Sequence, residues 1–155
     1  MVKRPTTPPA LEPDTQRALA VGLFNYVWTL LEKPDRSTHD DDVMVHAAHA
    51  CRFFWNEIGE PVNHARGEWQ ISRVYATLDR AEPALHHARR CLEICEEHGI
   101  GDFDLAYAYE ALARAHAVAG EDAQSARYAE LAREAGTRIA EDDDRELFES
   151  DLASL

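Results

Sequence analysis

Residues 65–94 read ARGEWQISRVYATLDRAEPALHHARRCLEI, and two patterns are superimposed in them. Ile71, Tyr75 and Leu78 recur at helical spacing, and Ala84, Ala88 and Leu92 do so again after DRAEP. A helix that only packs needs one such stripe. Here Arg66, Trp69 and Arg73 form a second stripe on the first of the two helices. Two faces predict an element that packs on its neighbours along one side and lines a groove along the other.

The same reading extends along the chain. Glycine and proline are few, with 7 of each in 155 residues, and alternating β-branched runs are missing, so the expected fold is all-α. Residues 1–11 read as a flexible leader, and 12–155 as one helical domain. A first helix is expected over about 13–33, ended by Pro34, with PDRSTHD as connector. A second starts near Asp41 and closes at Gly59. Pro61 opens a third, which runs to about Leu78, and a fourth spans about 82–97. Asp102 is expected to cap the fifth, which stops at Gly120. The sixth covers about 122–138 and a short acidic seventh 142–153.

Helices three and four (ISRVYATLDRAEPALHHARRCLEI) and five and six (EALARAHAVAGEDAQSARYAELAREA) follow one scheme. Each has an apolar residue, a ring four later, a tight turn four beyond that, then small residues. This resembles the tetratricopeptide repeat. Ile71 and Tyr75, then Leu112, Ala113 and Gly120, stand at its large and turn positions, and Ala84 and Ala132 at small ones. Asp79 stands where the turn glycine usually is, and His116 replaces the usual tyrosine. The resemblance implies an α-solenoid of about three antiparallel pairs (13–59, degenerate; 62–97; 102–138) with a C-terminal capping helix over 142–153. A non-repetitive helical bundle is the alternative.

In such an array the first helix of each pair lines a concave groove. That places Asn25, Trp28, Arg66, Trp69, Gln70, Arg73, Tyr107, Glu110 and Arg114 as candidate binding residues. Arginine forks match carboxylates and tryptophan supplies contact area, so the resemblance implies an adaptor for a protein or peptide segment with an acidic or carboxylate end. If they are groove residues, Arg66 and Arg73 are replaceable at little cost in stability. The competing reading pairs them with Glu68, Glu110 or Asp79.

The formal charge of −13 opposes nucleic acid and anionic membranes. No run approaches the roughly 18 apolar residues of a membrane span, and no targeting segment is evident, so the cytoplasm is the expected compartment. Homodimerisation through the first pair is a further expectation. Cys51, Cys91 and Cys95 read as buried free thiols. Nucleophile and phosphate-loop motifs are missing, so no catalytic residue is assigned and no cofactor is expected. A rival from another class is a metal-binding bundle, with or without catalysis. It would use His46 and His49, three apart on one helix, with His39, Asp42 or His64 as a third ligand to a transition metal such as zinc.

Overall fold

Each helix boundary has a local cause. In the computed structural model, which describes residues 4–155, α1 (Pro13–Leu31) begins with proline at its first turn. It ends where Arg36 Nη1 donates to the carbonyls of Leu31 and Lys33, at 3.1 and 3.3 Å. The second helix, α2 (Thr38–Ile58), starts three residues before Asp41. Ser37 Oγ accepts the Asp40 N–H at 3.1 Å, and the Asp40 carboxylate accepts the Ser37 N–H at 2.9 Å. This reciprocal capping box fixes the start. Lys33 holds Asp40 at 2.7 Å, and this hydrogen bond, with those from Ser37, draws the carboxyl down to about 2.

Pro61 opens α3 (Pro61–Thr77), and α4 (Ala81–His98) follows a three-residue turn. Gly99, at φ 62°, ends α4, with the Ile100 N–H closing back on Cys95 O at 2.9 Å. The next helix, α5 (Asp102–Val118), corrects one expectation, because Asp102 does not cap it. Its backbone is left-handed (φ 52°), and its carboxylate accepts the Ala140 N–H at 3.0 Å, tying the start of α5 to the loop before the last helix. Then come α6 (Asp122–Gly136) and α7 (Asp142–Leu152). Among the described residues these seven helices are the whole regular structure, with no strand. Of the leader expected over 1–11, residues 1–3 lie outside the described ones. Pro8, Pro9 and Leu11 border a small hollow with Phe53 and Phe54 of α2.

Every helix packs on the next, and the backbones of α1, α3, α5 and α7 also approach one another in order, whereas those of α2, α4 and α6 do not, although the rings of His49 and His87 meet between α2 and α4. The helices therefore form an inner row of four and an outer row of three. Small residues let the rows approach. Ala84, Ala88, Ala106, Ala108, Ala115 and Ala132 are all fully buried in the core that joins α3 to α7. Val27, Met44, Ile71 and Val74 fill the space between α1, α2 and α3. At the far end Gly136 admits Phe148, since a Cβ there would lie 2.4 Å from the ring.

The pairs α3–α4 and α5–α6 share three contacts at one offset of 41 residues. Asp79 (φ 56°) and Gly120 (φ 73°) form their turns, closed by Arg80 N–H to Tyr75 O and Glu121 N–H to His116 O, both 2.9 Å. Ser72 Oγ donates to Ala84 O and Ser125 Oγ to Ala113 O, again both at 2.9 Å. The rings of Tyr75 and His87 stack in the first pair, and those of His116 and Tyr128 in the second.

The two turns differ in what their conformation costs. A left-handed backbone disfavours an L-residue with a Cβ and suits glycine. Asp79→Gly is therefore expected to stabilise the chain by roughly 0.5–1 kcal/mol, and Gly120→Ala to destabilise it by about 1 kcal/mol. Urea midpoints of the two variants check both signs, and shifts in the same direction would contradict the account.

Candidate functional site

Between α1, α3, the first turns of α5 and α7 lies a cleft of about 650 Å3. Its floor is Trp69, buried, with ring centroids 5.4 Å from Trp28, 4.8 Å from Tyr107 and 6.5 Å from Phe103. Phe24 stands edge-on to Trp28 at 6.4 Å, and Tyr107 meets Phe148 of α7 at 5.1 Å. These tilted contacts are the geometry aromatic pairs prefer, so one ring chain joins all four inner helices. Leu147, 55% exposed, closes the α7 side. The indole N–H of Trp69 is buried and has no acceptor among the described residues.

Acid surrounds these rings. Glu32, Asp102, Asp104, Asp144 and Asp151 border the cleft, against the single guanidinium of Arg66. That guanidinium is already engaged. Arg66 Nε and Nη2 donate to the two oxygens of Asp104 at 2.7 and 3.0 Å, and this hydrogen bonding raises the arginine's pKa further.

Beneath the cleft a polar layer binds α3, α5 and α7. Glu110 is fully buried and accepts from Arg114 Nε at 2.7 Å. Arg73 Nη2 lies 3.7 Å from Glu110 and 3.4 Å from Asp151, with only 13% of its side chain exposed. Arg114 also donates to the Asp151 and Ser154 oxygens, closing the end of α7. Tyr107 Oη donates to Asp151 at 2.7 Å. Burial and then this carboxylate push the phenol well above the usual tyrosine range, so it remains a neutral donor.

The candidate groove residues therefore divide. Trp28, Arg66, Trp69 and Tyr107 line one cleft. Asn25 is exposed and does not line it. Gln70 is buried and donates to Phe24 O at 2.9 Å, fastening α3 to α1. Arg73, Glu110 and Arg114 form the ionic layer below, and Arg73 is not the cheaply replaced groove side chain expected of it. Its partner Glu110 was the competing reading's, while Arg66 pairs with Asp104, which that reading did not name. The aromatic and acidic contributions of Phe103, Asp104, Asp144, Leu147 and Asp151 were missed, because which turn of α5 and α7 faces α3 is a tertiary fact. The i, i+4 pair of rings Phe103 and Tyr107 was the available signal.

A second constellation sits where α2, α3 and α4 meet. His87 Nδ1 donates to Glu68 at 2.6 Å, and Arg52 Nε donates to the other oxygen at 2.9 Å. Gly67 permits this approach, for a Cβ there would lie 2.7 Å from Arg52 Cδ. Burial raises the Glu68 carboxyl, but the bonds and charges of His87 and Arg52 outweigh it and the net shift is downward. His49 Nε2 hydrogen-bonds Tyr75 Oη at 2.9 Å.

This arrangement does not join the histidines singled out for metal. His39 lies about 15 Å along α2 from His49 at the helical rise. His64 spends Nε2 on Trp55 O at 2.9 Å, and His46 is exposed. Among the described residues no group of three or more His, Cys, Asp or Glu side chains is placed to hold a metal ion. Cys51, Cys91 and Cys95 are buried free thiols, and burial pushes Cys51 up to about 11. No described helix is long and apolar enough to cross a membrane.

Comparison with protein-family models, with curated proteins and with solved structures gives no match.

Removing one partner of a buried pair leaves the other uncompensated. Glu110→Gln is expected to cost about 3 kcal/mol by denaturant unfolding, whereas Arg66→Ala, in a half-exposed pair, should cost under about 1 kcal/mol. Similar costs for both would refute the division into layer and cleft.

His49 predicts a pH effect. Partial desolvation on its packed side first, then the neighbouring His87 and His46 charges, lower its pKa, against an opposing pull from Glu68, although much of the side chain is exposed. The unfolded chain then takes the proton more readily, so stability is full above about pH 6.5 and falls as pH drops through the folded value. Glu68, with its lowered pKa, adds a second loss only below the ordinary carboxyl range. Melting temperature should decline from about pH 7 to about pH 5.5 in the native chain and less steeply in His49→Gln. Parallel slopes would remove His49 as the cause.

Proposed function

We propose that the chain is a short tetratricopeptide-like array whose inner row binds a segment of another polypeptide. The observation that carries this reading is the cleft itself. Four helices contribute to it, its walls are aromatic, and it falls in the size range of binding sites. The two rows support the repeat reading, as do the turn closures, serine bonds and ring stacks shared at a 41-residue offset. In that reading α7 is the capping helix, docked through Phe148 and Asp151. Trp28, Trp69 and Phe103 supply contact area at low cost in side-chain entropy, the usual anchors of recognition.

Leu147 provides the test, since it is half exposed and its truncation should leave the fold intact. Peptides selected against the native chain from a random display library should bind Leu147→Ala about tenfold more weakly, a loss of roughly 1.4 kcal/mol. Equal affinity, or a library that yields no binder, would remove the cleft as a peptide site.

Leu19 and Tyr26, seven residues apart on one face of α1, are 41% and 46% exposed. They support a second use of this end of the row, as a contact between two copies of the chain. Sedimentation at rising concentration tests it, with Tyr26→Glu expected to remain monomeric.

A further inference from the structure

We infer that the segment received by the cleft is basic, presenting lysine or arginine side chains to the rings and the acidic rim. This rests on the proposed peptide-binding role and gives its partner a chemistry. Of the arginines that suggested an acidic ligand, Arg66 is hydrogen-bonded to Asp104 and Arg114 to Glu110, while Arg73 is held below the cleft, 3.7 Å from Glu110 and 3.4 Å from Asp151. A carboxylate reaching Arg66, the one guanidinium that lines the cleft among the described residues, would have to displace Asp104 from a bidentate pair. A cation meets no such obstacle. Among the described residues Glu32 and Asp144 border the cleft without an ion-pair partner, and Asp151 shares its charge with Arg73 only at 3.4 Å.

The walls suit the same ligand. Ring faces attract ammonium and guanidinium groups, tryptophan most strongly, and the attraction grows as water is excluded. Trp28 and Phe103 stand half-buried on either side of Trp69, so a cation's alkyl stem has rings to lie on while its head reaches the carboxylates. A polypeptide fits better than a free small cation, because its lysine and arginine side chains bring the alkyl stem that lies on the rings together with the charged head.

Net charge alone would also draw a basic peptide, so the experiment must separate rim from field. At about 0.15 M salt, charges beyond about 8 Å are largely screened, and local carboxylates decide. Fluorescence anisotropy on the full-length chain would use labelled peptides that alternate alanine with lysine, serine or glutamate. The lysine peptide is expected to bind at least about tenfold more tightly than the serine peptide, and the glutamate peptide not at all. Glu32→Gln with Asp144→Asn should weaken it about fivefold. Glu130→Gln with Glu134→Gln removes the same charge from the exposed surface of α6 and should leave affinity unchanged.

Equal weakening by both double variants, or preference for glutamate, would overturn the inference while leaving a peptide-binding cleft in place. Failure of all three peptides alongside successful display selection would do the same. Failure of both would remove the cleft reading as well.

Discussion

The contact on which the inner row depends is Trp69. Its indole reaches Trp28 on α1 and both Phe103 and Tyr107 on α5, and Tyr107 passes the contact to Phe148 on α7. The outer helices lack such a chain of rings, since their backbones approach only their chain neighbours and α2 meets α4 through the imidazoles of His49 and His87. A large ring can span neighbours in this way where an aliphatic side chain would leave a gap. The same ring is the floor of the cleft. Fold and the proposed recognition thus share one residue, and replacing it would confound the two. This is why positions at the rim, where Leu147, Glu32 and Asp144 stand, are the ones that can report on binding alone.

Glu110 is the second constraint. A fully buried carboxylate is tolerable only when its charge is met nearby, and Arg73 and Arg114 meet it from α3 and from one turn further along α5. Such a pair adds little net stability over apolar packing, yet it makes alternative registers expensive, because sliding α3 against α5 by one residue would strand a charge. The tie to Asp151 extends this control to α7. The layer therefore fixes the distance between the helices that form the cleft. It also withdraws two guanidinium groups from any ligand.

How much of this was legible in the sequence follows from what is local. Helix number and order were, because apolar spacing and the Pro34, Gly59, Pro61 and Gly120 signals act within a few residues. The start of α2 was legible and misread: Ser37 and Asp40 spell a capping box, but the connector reading absorbed them. Of the stripe read as a second face, Arg66 and Trp69 line the cleft and Arg73 lies in the ionic layer below it. What the sequence did not disclose was its electrostatic state. Arg66 meets an acid 38 positions away and Arg73 one 37 away, so their neutralisation depends on tertiary placement that no spacing rule contains. The premise of free arginines fails for that reason, while the helical assignment beneath it does not.

Equivalent positions in the two repeating pairs sharpen the point. At the 41-residue offset Arg66, Trp69 and Arg73 correspond to Tyr107, Glu110 and Arg114. The middle site holds the cleft floor in α3 and the buried acid in α5, while the third holds in both helices an arginine of the ionic layer. The stacks behave likewise: Tyr75 packs on His87, and His116 on Tyr128, so the imidazole changes rows while the contact persists. In each case an acid accompanies the imidazole, Glu68 with His87 and Glu121 with His116. The backbone arrangement requires a ring against a ring and a long side chain across the inner face, and is indifferent to polarity. Polarity is then set where helices converge, and at the cleft it converges on aromatic walls with excess acid. A helical scaffold of this kind can change what it recognises without changing how it packs.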